Sequence, residues 1–147
     1  MKQQKASSSA GINPVLSSYN ELEDIHQTDE VAKRLASELQ RLDSLVLNAG
    51  LGVGSYGETR GGIDSHMQLN VFTQHHLAMT LLPTLIATPD SRLCLQVSDM
   101  HRAAPGDIKF ADLEEINRDI GPAYFYNRTK LAQILLVKAL VRRTQQS

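Results

Sequence analysis

Apolar residues recur along this chain in two rhythms. Val31, Leu35, Leu39 and Leu42 follow helical spacing, and Thr28 offers a cap with Asp29 and Glu30 behind it. Leu45-Val46-Leu47 is a compact apolar run, the signature of a buried parallel strand, and it ends at Asn48-Ala49-Gly50. A glycine-rich loop, Leu51 to Gly62, follows. Ile63 to Leu85 then reads as a long helix, with Met67, Asn70, Val71, Leu77, Leu81 and Leu82 on or near its apolar face. Pro83 is expected to bend or end it. Arg92 to Ser98 is a second strand, built on Leu93-Cys94-Leu95-Gln96-Val97. A polar connection from Asp99 to Gly121 carries one short helix near Leu113 to Ile116. A last helix follows Tyr124 and runs toward Arg143, with Leu131, Ile134, Leu135, Val137, Ala139 and Leu140. Pro14-Val15-Leu16 forms a further short strand in this reading, and Gln145 to Ser147 a frayed end. Strands alternating with helices imply an α/β fold with parallel strands, whose chemistry sits beyond the strands' carboxyl ends. Asn48 and Ser98 stand there.

Composition narrows the partners. The chain has 147 residues, enough to bury a core as one domain. Its formal net charge of -1 and lack of a basic stripe argue against nucleic acid. The one cysteine, Cys94, cannot form an internal disulfide, which fits a reducing, cytoplasmic location. Leu77 to Ala87 is too short an apolar stretch to span a bilayer, so no transmembrane segment is expected. The Ser-rich start has neither an apolar signal core nor arginine. Residues 1–20 are expected to be a poorly ordered or replaced N-terminus, and residues 21–147 to form the central part of a domain.

The chemistry begins with Tyr126 and Lys130. Four residues apart on a helix, they share a face, and an ammonium beside a phenol favours the phenolate. Such a phenol can pass protons to and from an alcohol or ketone. The pair alone is unspecific, since about 0.2 such spacings are expected by chance from this composition. Gly52-Val53-Gly54-Ser55-Tyr56-Gly57 fits G-x-G-x-x-G after a strand. Glu58 to Gly62 nevertheless intervene before any helix, which makes a surface loop the better reading than a phosphate cradle. Adjacent His75 and His76 diverge by about 100° on a helix. With no paired cysteines, no metal site is expected. Ser98 ends a strand without the nucleophile elbow of a hydrolase. Asn70 lies inside an amphipathic helix between Leu69 and Val71.

Taken together, these residues resemble the short-chain dehydrogenase/reductase family, from about Leu22 to Arg143. Leu47-Asn48-Ala49-Gly50 is similar to the family's Asn-Asn-Ala-Gly strand end, with Leu47 for the first Asn. Asn70, Ser98, Tyr126 and Lys130 look like its catalytic tetrad, in the family's order. Asp99-Met100-His101-Arg102 and Tyr126 to Ala132 look most like the retinol-dehydrogenase-like branch, particularly its fungal members. The resemblance implies an NAD(P)-dependent oxidoreductase acting on a small lipophilic alcohol or carbonyl compound, with a place in secondary metabolism and with NADP slightly preferred over NAD. Tyr126 would be the general acid/base. Lys130 would lower its pKa and hold the nicotinamide ribose. Ser98 would orient the substrate oxygen, and Asn70 would hold a water linking Lys130 to solvent. Asn48, Ala49 and Gly50, with Tyr126 and Lys130, would line the cofactor cleft.

The departures are as informative. A whole member begins with a strand and Thr-Gly-x-x-x-Gly-x-Gly, and nothing before Asn48 matches it. Glu21-Leu22 stands where the family has an Asp-Leu pair near the adenine. The family's last strands have no counterpart after Arg143. The expectation is therefore a partial Rossmann-like, doubly wound parallel sheet lacking the first two and the last strands. Weak cofactor binding and self-association into a homo-oligomer follow from it. The alternative is a cofactor-free derivative, serving as a partner subunit or a non-redox isomerase or cyclase.

Overall fold

In the computed structural model the described residues are 22–54, 56–106, 108, 110, 112–119 and 121–144. The expected strand at Pro14 to Leu16, the reading of residues 1–20, Glu21 and the chain's last three residues lie outside them. Helix α1 spans Ile25–Glu38. Its cap is Asp24 rather than Thr28: the Asp24 carboxylate accepts from His26 N at 2.9 Å and Gln27 N at 3.4 Å. Thr28 is instead buried inside the first turn. The helix begins one turn early because aspartate at 24 caps it first.

Strand β1 (Ser44–Leu47) and strand β2 (Arg92–Leu95) pair in parallel, with Leu45 opposite Leu93 and Leu47 opposite Leu95. Between them runs a continuous helical segment: α2 (Ser65–Met67), a π-helical turn (Gln68–Thr73) and α3 (Gln74–Ala87). Pro83 does not end it. Pro83 lacks an N–H to donate, yet Leu81 and Leu85 on either side of it are buried and carry the helix on to Ala87. The π turn breaks the single helical period expected over Ile63 to Leu85. Its wider winding buries Gln68, Leu69, Asn70 and Thr73 together, where an α-helix would turn some of them outward. Beyond β2 come a 3-10 turn (Asp99–Ala103), helix α4 (Leu113–Asn117) and helix α5 (Pro122–Thr144). Gly121, at φ +114, makes the turn that leads into Pro122, a favoured first helical residue.

The core sits on one face of the sheet, where Leu47, Ala78 and Leu140 pack with Leu45, Leu77, Leu93, Leu95 and Leu136. The opposite face is open: Val46 is 64% exposed and its register partner Cys94 is exposed too. The architecture is α/β, with a small parallel sheet and helices, matching part of a Rossmann-like fold. Among the described residues no helix is long and apolar enough to cross a membrane.

Candidate functional site

The π turn carries Asn70 into the interior, and its side chain is completely buried. Asn70 clamps the backbone beyond β1, accepting from Leu51 N at 2.8 Å and donating to Leu51 O at 3.0 Å. The same Nδ2 donates to Thr129 Oγ1 at 3.0 Å, and Thr129 donates to the Tyr126 carbonyl at 2.8 Å. The Asn70 carbonyl accepts from Gln133 Nε2 at 2.8 Å. Gln133 Oε1 in turn accepts from Lys130 Nζ at 2.9 Å, and Nζ also donates to the Gln96 carbonyl at 3.2 Å. Lys130 Nζ stands 5.3 Å from the centre of the Tyr126 ring. Burial holds the Lys130 ammonium below its ordinary pKa.

Asn70, Tyr126 and Lys130 are thus brought together, joined through Thr129 and Gln133. Ser98 lies two residues beyond Gln96, half-buried, as the cap of the 3-10 turn. Its Oγ accepts from Met100 N at 3.3 Å, and its carbonyl from His101 Nδ1 at 2.8 Å. Among the described residues no hydrogen bond joins Ser98 to Tyr126. Asn48, Ala49 and Gly50 are exposed at the end of β1, where the Ala49 carbonyl accepts from Gln74 Nε2. The G-x-G-x-x-G stretch opens no helix. Gly57 instead leads to an antiparallel bridge between Glu58 and Asp64, closed by Thr59 N to Ile63 O at 2.9 Å. Ser55 of that stretch lies outside the described residues.

A second buried network braces the site from below. Arg128 and Asp64, both fully buried, pair at 3.0 Å. Arg128 also donates to the carbonyls of Glu115 and Ile116, and lies about 5 Å from the ring centres of Tyr124 and Phe125. Asp64 caps α2, accepting from Met67 N at 3.0 Å and His66 N at 3.4 Å. Burial alone would raise the Asp64 pKa, but hydrogen bonds from His66, Met67 and Arg128 outweigh it and hold the carboxyl low. Asn117 Oδ1 accepts from Asp64 N at 2.8 Å and its Nδ2 donates to Gly62 O at 2.7 Å, so α4 is fastened to the loop ahead of α2. Phe125, next to Tyr126, is wholly buried and stacks on His66 at 5.7 Å. The sequence reading passed over Gln133, Thr129, Arg128 and Asp64. The available signals were Gln133 one turn beyond Lys130 and an aspartate just ahead of a helix.

A cleft of about 610 Å³ opens away from this cluster, between the start of α1 and residues 58–63. Its lining mixes the charged and polar side chains of Glu23, His26, Glu58 and Arg60 with Ile25 and Ile63. Among the described residues no group of three or more His, Cys, Asp or Glu is placed to hold a metal.

No family profile matches the chain. Its sequence is 42% identical over 122 residues to a candidate mitochondrial oxidoreductase, bli-4, of Neurospora crassa, covering 80% of this chain and 30% of that one. It is 32% identical over 132 residues to a short-chain dehydrogenase/reductase of Armillaria gallica, covering 83% and 41%. The stretch in hand is short-chain dehydrogenase/reductase sequence. Human retinol dehydrogenase 14 is 27% identical over 136 residues, covering 92% of this chain and 40% of its own. Solved structures agree. An uncharacterised protein of Mycobacterium paratuberculosis superposes with a TM-score of 0.67 at 28% identity, over 86% of this chain and 43% of that one. A short-chain dehydrogenase of Shigella flexneri in complex with NADP superposes at 0.56 and 25% identity, over 82% and 46%. The chain therefore spans less than half the length of these relatives.

A nicotinamide cofactor is what such relatives imply, and the residues here fit part of one. An ammonium with one N–H uncommitted, a half-buried phenol and an exposed strand end suit its nicotinamide–ribose half. No glycine-rich turn opens a helix among the described residues, so a seat for the pyrophosphate is not among them.

Proposed function

We propose that this chain is part of an NAD(P)-dependent oxidoreductase that interconverts an alcohol with a ketone or aldehyde on a small lipophilic substrate. The observation that carries the reading is the hydrogen-bonded linkage of Asn70 to Lys130 through Gln133 and to the Tyr126 backbone carbonyl through Thr129, with the Lys130 ammonium 5.3 Å from the centre of the Tyr126 ring, beyond the ends of two parallel strands. The nicotinamide, when bound, supplies or takes the hydride. Tyr126 Oη gives a proton to the substrate oxygen during reduction and takes it back during oxidation. Lys130 holds the ribose with its remaining N–H. The Ser98 hydroxyl, whose oxygen already accepts from Met100, keeps its own hydrogen to donate to the substrate oxygen. Asn48, Ala49 and Gly50 border the cofactor. NADP over NAD, a cytoplasmic setting and a homo-oligomer belong to the same reading. The NADP-bound relative supports the first, the lone Cys94 the second, and exposed Leu135, Val137 and Val141 on α5 the third.

Binding of NADPH by this chain alone is proposed to be weak, because residues 58–64 fold into a bridge rather than a phosphate-binding turn. The same observation favours a second reading, a cofactor-free derivative that reuses the Tyr126–Lys130 pocket as a partner subunit or non-redox isomerase. Titration of the purified chain with NADPH, followed by heat, separates them. Saturable weak binding that is lost in Lys130→Met supports the reductase. No binding at any concentration supports the derivative. In a version that turns over, Tyr126→Phe should cost about 10²–10⁴-fold in rate while leaving NADPH affinity intact. Near-normal turnover would remove Tyr126 from the mechanism.

A further inference from the structure

Gln133 stands between two groups that the proposed chemistry uses. Its Nε2 donates to the Asn70 carbonyl at 2.8 Å and its Oε1 accepts from Lys130 Nζ at 2.9 Å. The side chain is 1% exposed. Lys130 and Gln133 are three residues apart on α5, so both rise from one helix face. Only a side-chain amide can accept at one atom and donate at the other without either end titrating. Glutamine has the reach to do both here. An ammonium has three N–H groups. Gln133 Oε1 and the Gln96 carbonyl, at 3.2 Å, take two of them. One remains for a ligand hydroxyl.

We infer that Gln133 is a positioning residue that holds the Lys130 ammonium in one orientation and ties it to the π turn through the Asn70 carbonyl. The link is a strut and not a relay, because an amide passes no net proton between these atoms without tautomerising. The resemblance implied that Asn70 holds a water linking Lys130 to solvent; here the Asn70 carbonyl is engaged by the Gln133 side chain. The inference rests on the proposed reading for its use, since it takes Lys130 as the group that meets the cofactor. Its test runs without cofactor.

The electrostatic surroundings keep that test interpretable. Tyr126 is a titratable side chain in contact with Lys130. The 3-10 turn packed against α5 carries Asp99, His101 and Arg102. Asp99 and Arg102 pair with each other at the surface, and His101 is bonded to the Ser98 carbonyl. From α2 and its cap, His66 and Asp64 bond each other, and Asp64 bonds Arg128. The π turn carries no charged residue.

The experiment uses the full chain with lysine labelled with carbon-13 at Cε, and Lys130→Arg to assign the signal. The midpoint of the Lys130 titration should fall by about one pH unit or more in Gln133→Leu, which loses the acceptor, and rise by a similar amount in Gln133→Glu. In the wild-type chain the Gln133 side-chain amide protons should shift with the Lys130 midpoint. Unchanged midpoints in variants that circular dichroism shows to be folded would overturn the inference. So would wild-type amide signals that ignore the Lys130 titration. If Gln133→Leu does not fold, Gln133→Glu and the wild-type amide signals decide. Failure of NADPH to bind would count against the proposed function and leave this measurement untouched.

Discussion

Gly50 and Asn70 are fitted to each other: a Cβ at position 50 would stand 2.7 Å from Asn70 Oδ1. The Asn70 amide has no room to yield, because it is buried and hydrogen-bonded to both Leu51 and Thr129. The glycine at the end of β1 is therefore required by a residue in the following helix.

Gly50→Ala should destabilise the chain by about 1–3 kcal/mol, the usual cost of overpacking. Urea melts measure it. In an Asn70→Ala background the same substitution should cost much less, since the clash partner is gone. Equal costs in both backgrounds would locate the strain elsewhere.

Arg128→Met should cost about 3–5 kcal/mol, because it leaves the Asp64 carboxylate buried without its partner. Adding Asp64→Asn should recover part of that loss. Additive losses in the double variant would show that the two side chains do not act as a pair.

Asp64 also sets an acid limit. Its folded pKa lies below the ordinary 3.8. The stability it contributes is therefore fully present above the unfolded value and is lost as pH falls through the folded one. Asp64→Asn should flatten the loss of stability below about pH 4. Chemical denaturation at a series of acid pH values checks it.

Lys130 has a linkage of the same sign, at alkaline pH. Its folded pKa is depressed from 10.5, so the unfolded chain binds more protons in the window below that value. Stability from this group therefore rises as pH increases toward 10.5. The stability difference between Lys130→Met and the wild type should change with pH in the wild type's favour over that window. A difference that stays flat from neutral pH to 10.5 would mean that Lys130 titrates as in the unfolded chain.

Much of the frame was legible because it rests on short-range pattern. The parallel pairing of β1 with β2 follows from the apolar runs Leu45 to Leu47 and Leu93 to Leu95, although only one face of each strand is covered and Val46 and Cys94 stay exposed on the other. A short helix near Leu113 to Ile116 was expected and is α4, and Tyr126 and Lys130 stood out by their spacing. The rest depended on distant pairs. Arg128 reads as a solvated helix charge until Asp64, 64 residues earlier, is placed against it. Gln133 shows a role only once the π turn delivers the Asn70 carbonyl to it, and no residue type announces a π turn. The resemblance named the site residues. The bonds that hold Asn70 to Thr129 and Gln133 join residues distant in sequence and brought together by the fold.

The open face of the sheet has a practical meaning. Val46 and Cys94 lie side by side on it, and the thiol is exposed. Any element laid across these strands, from this chain or another, would shield that sulfur before it changed anything at Tyr126. The alkylation rate of Cys94 is therefore a built-in footprint for whatever completes the sheet.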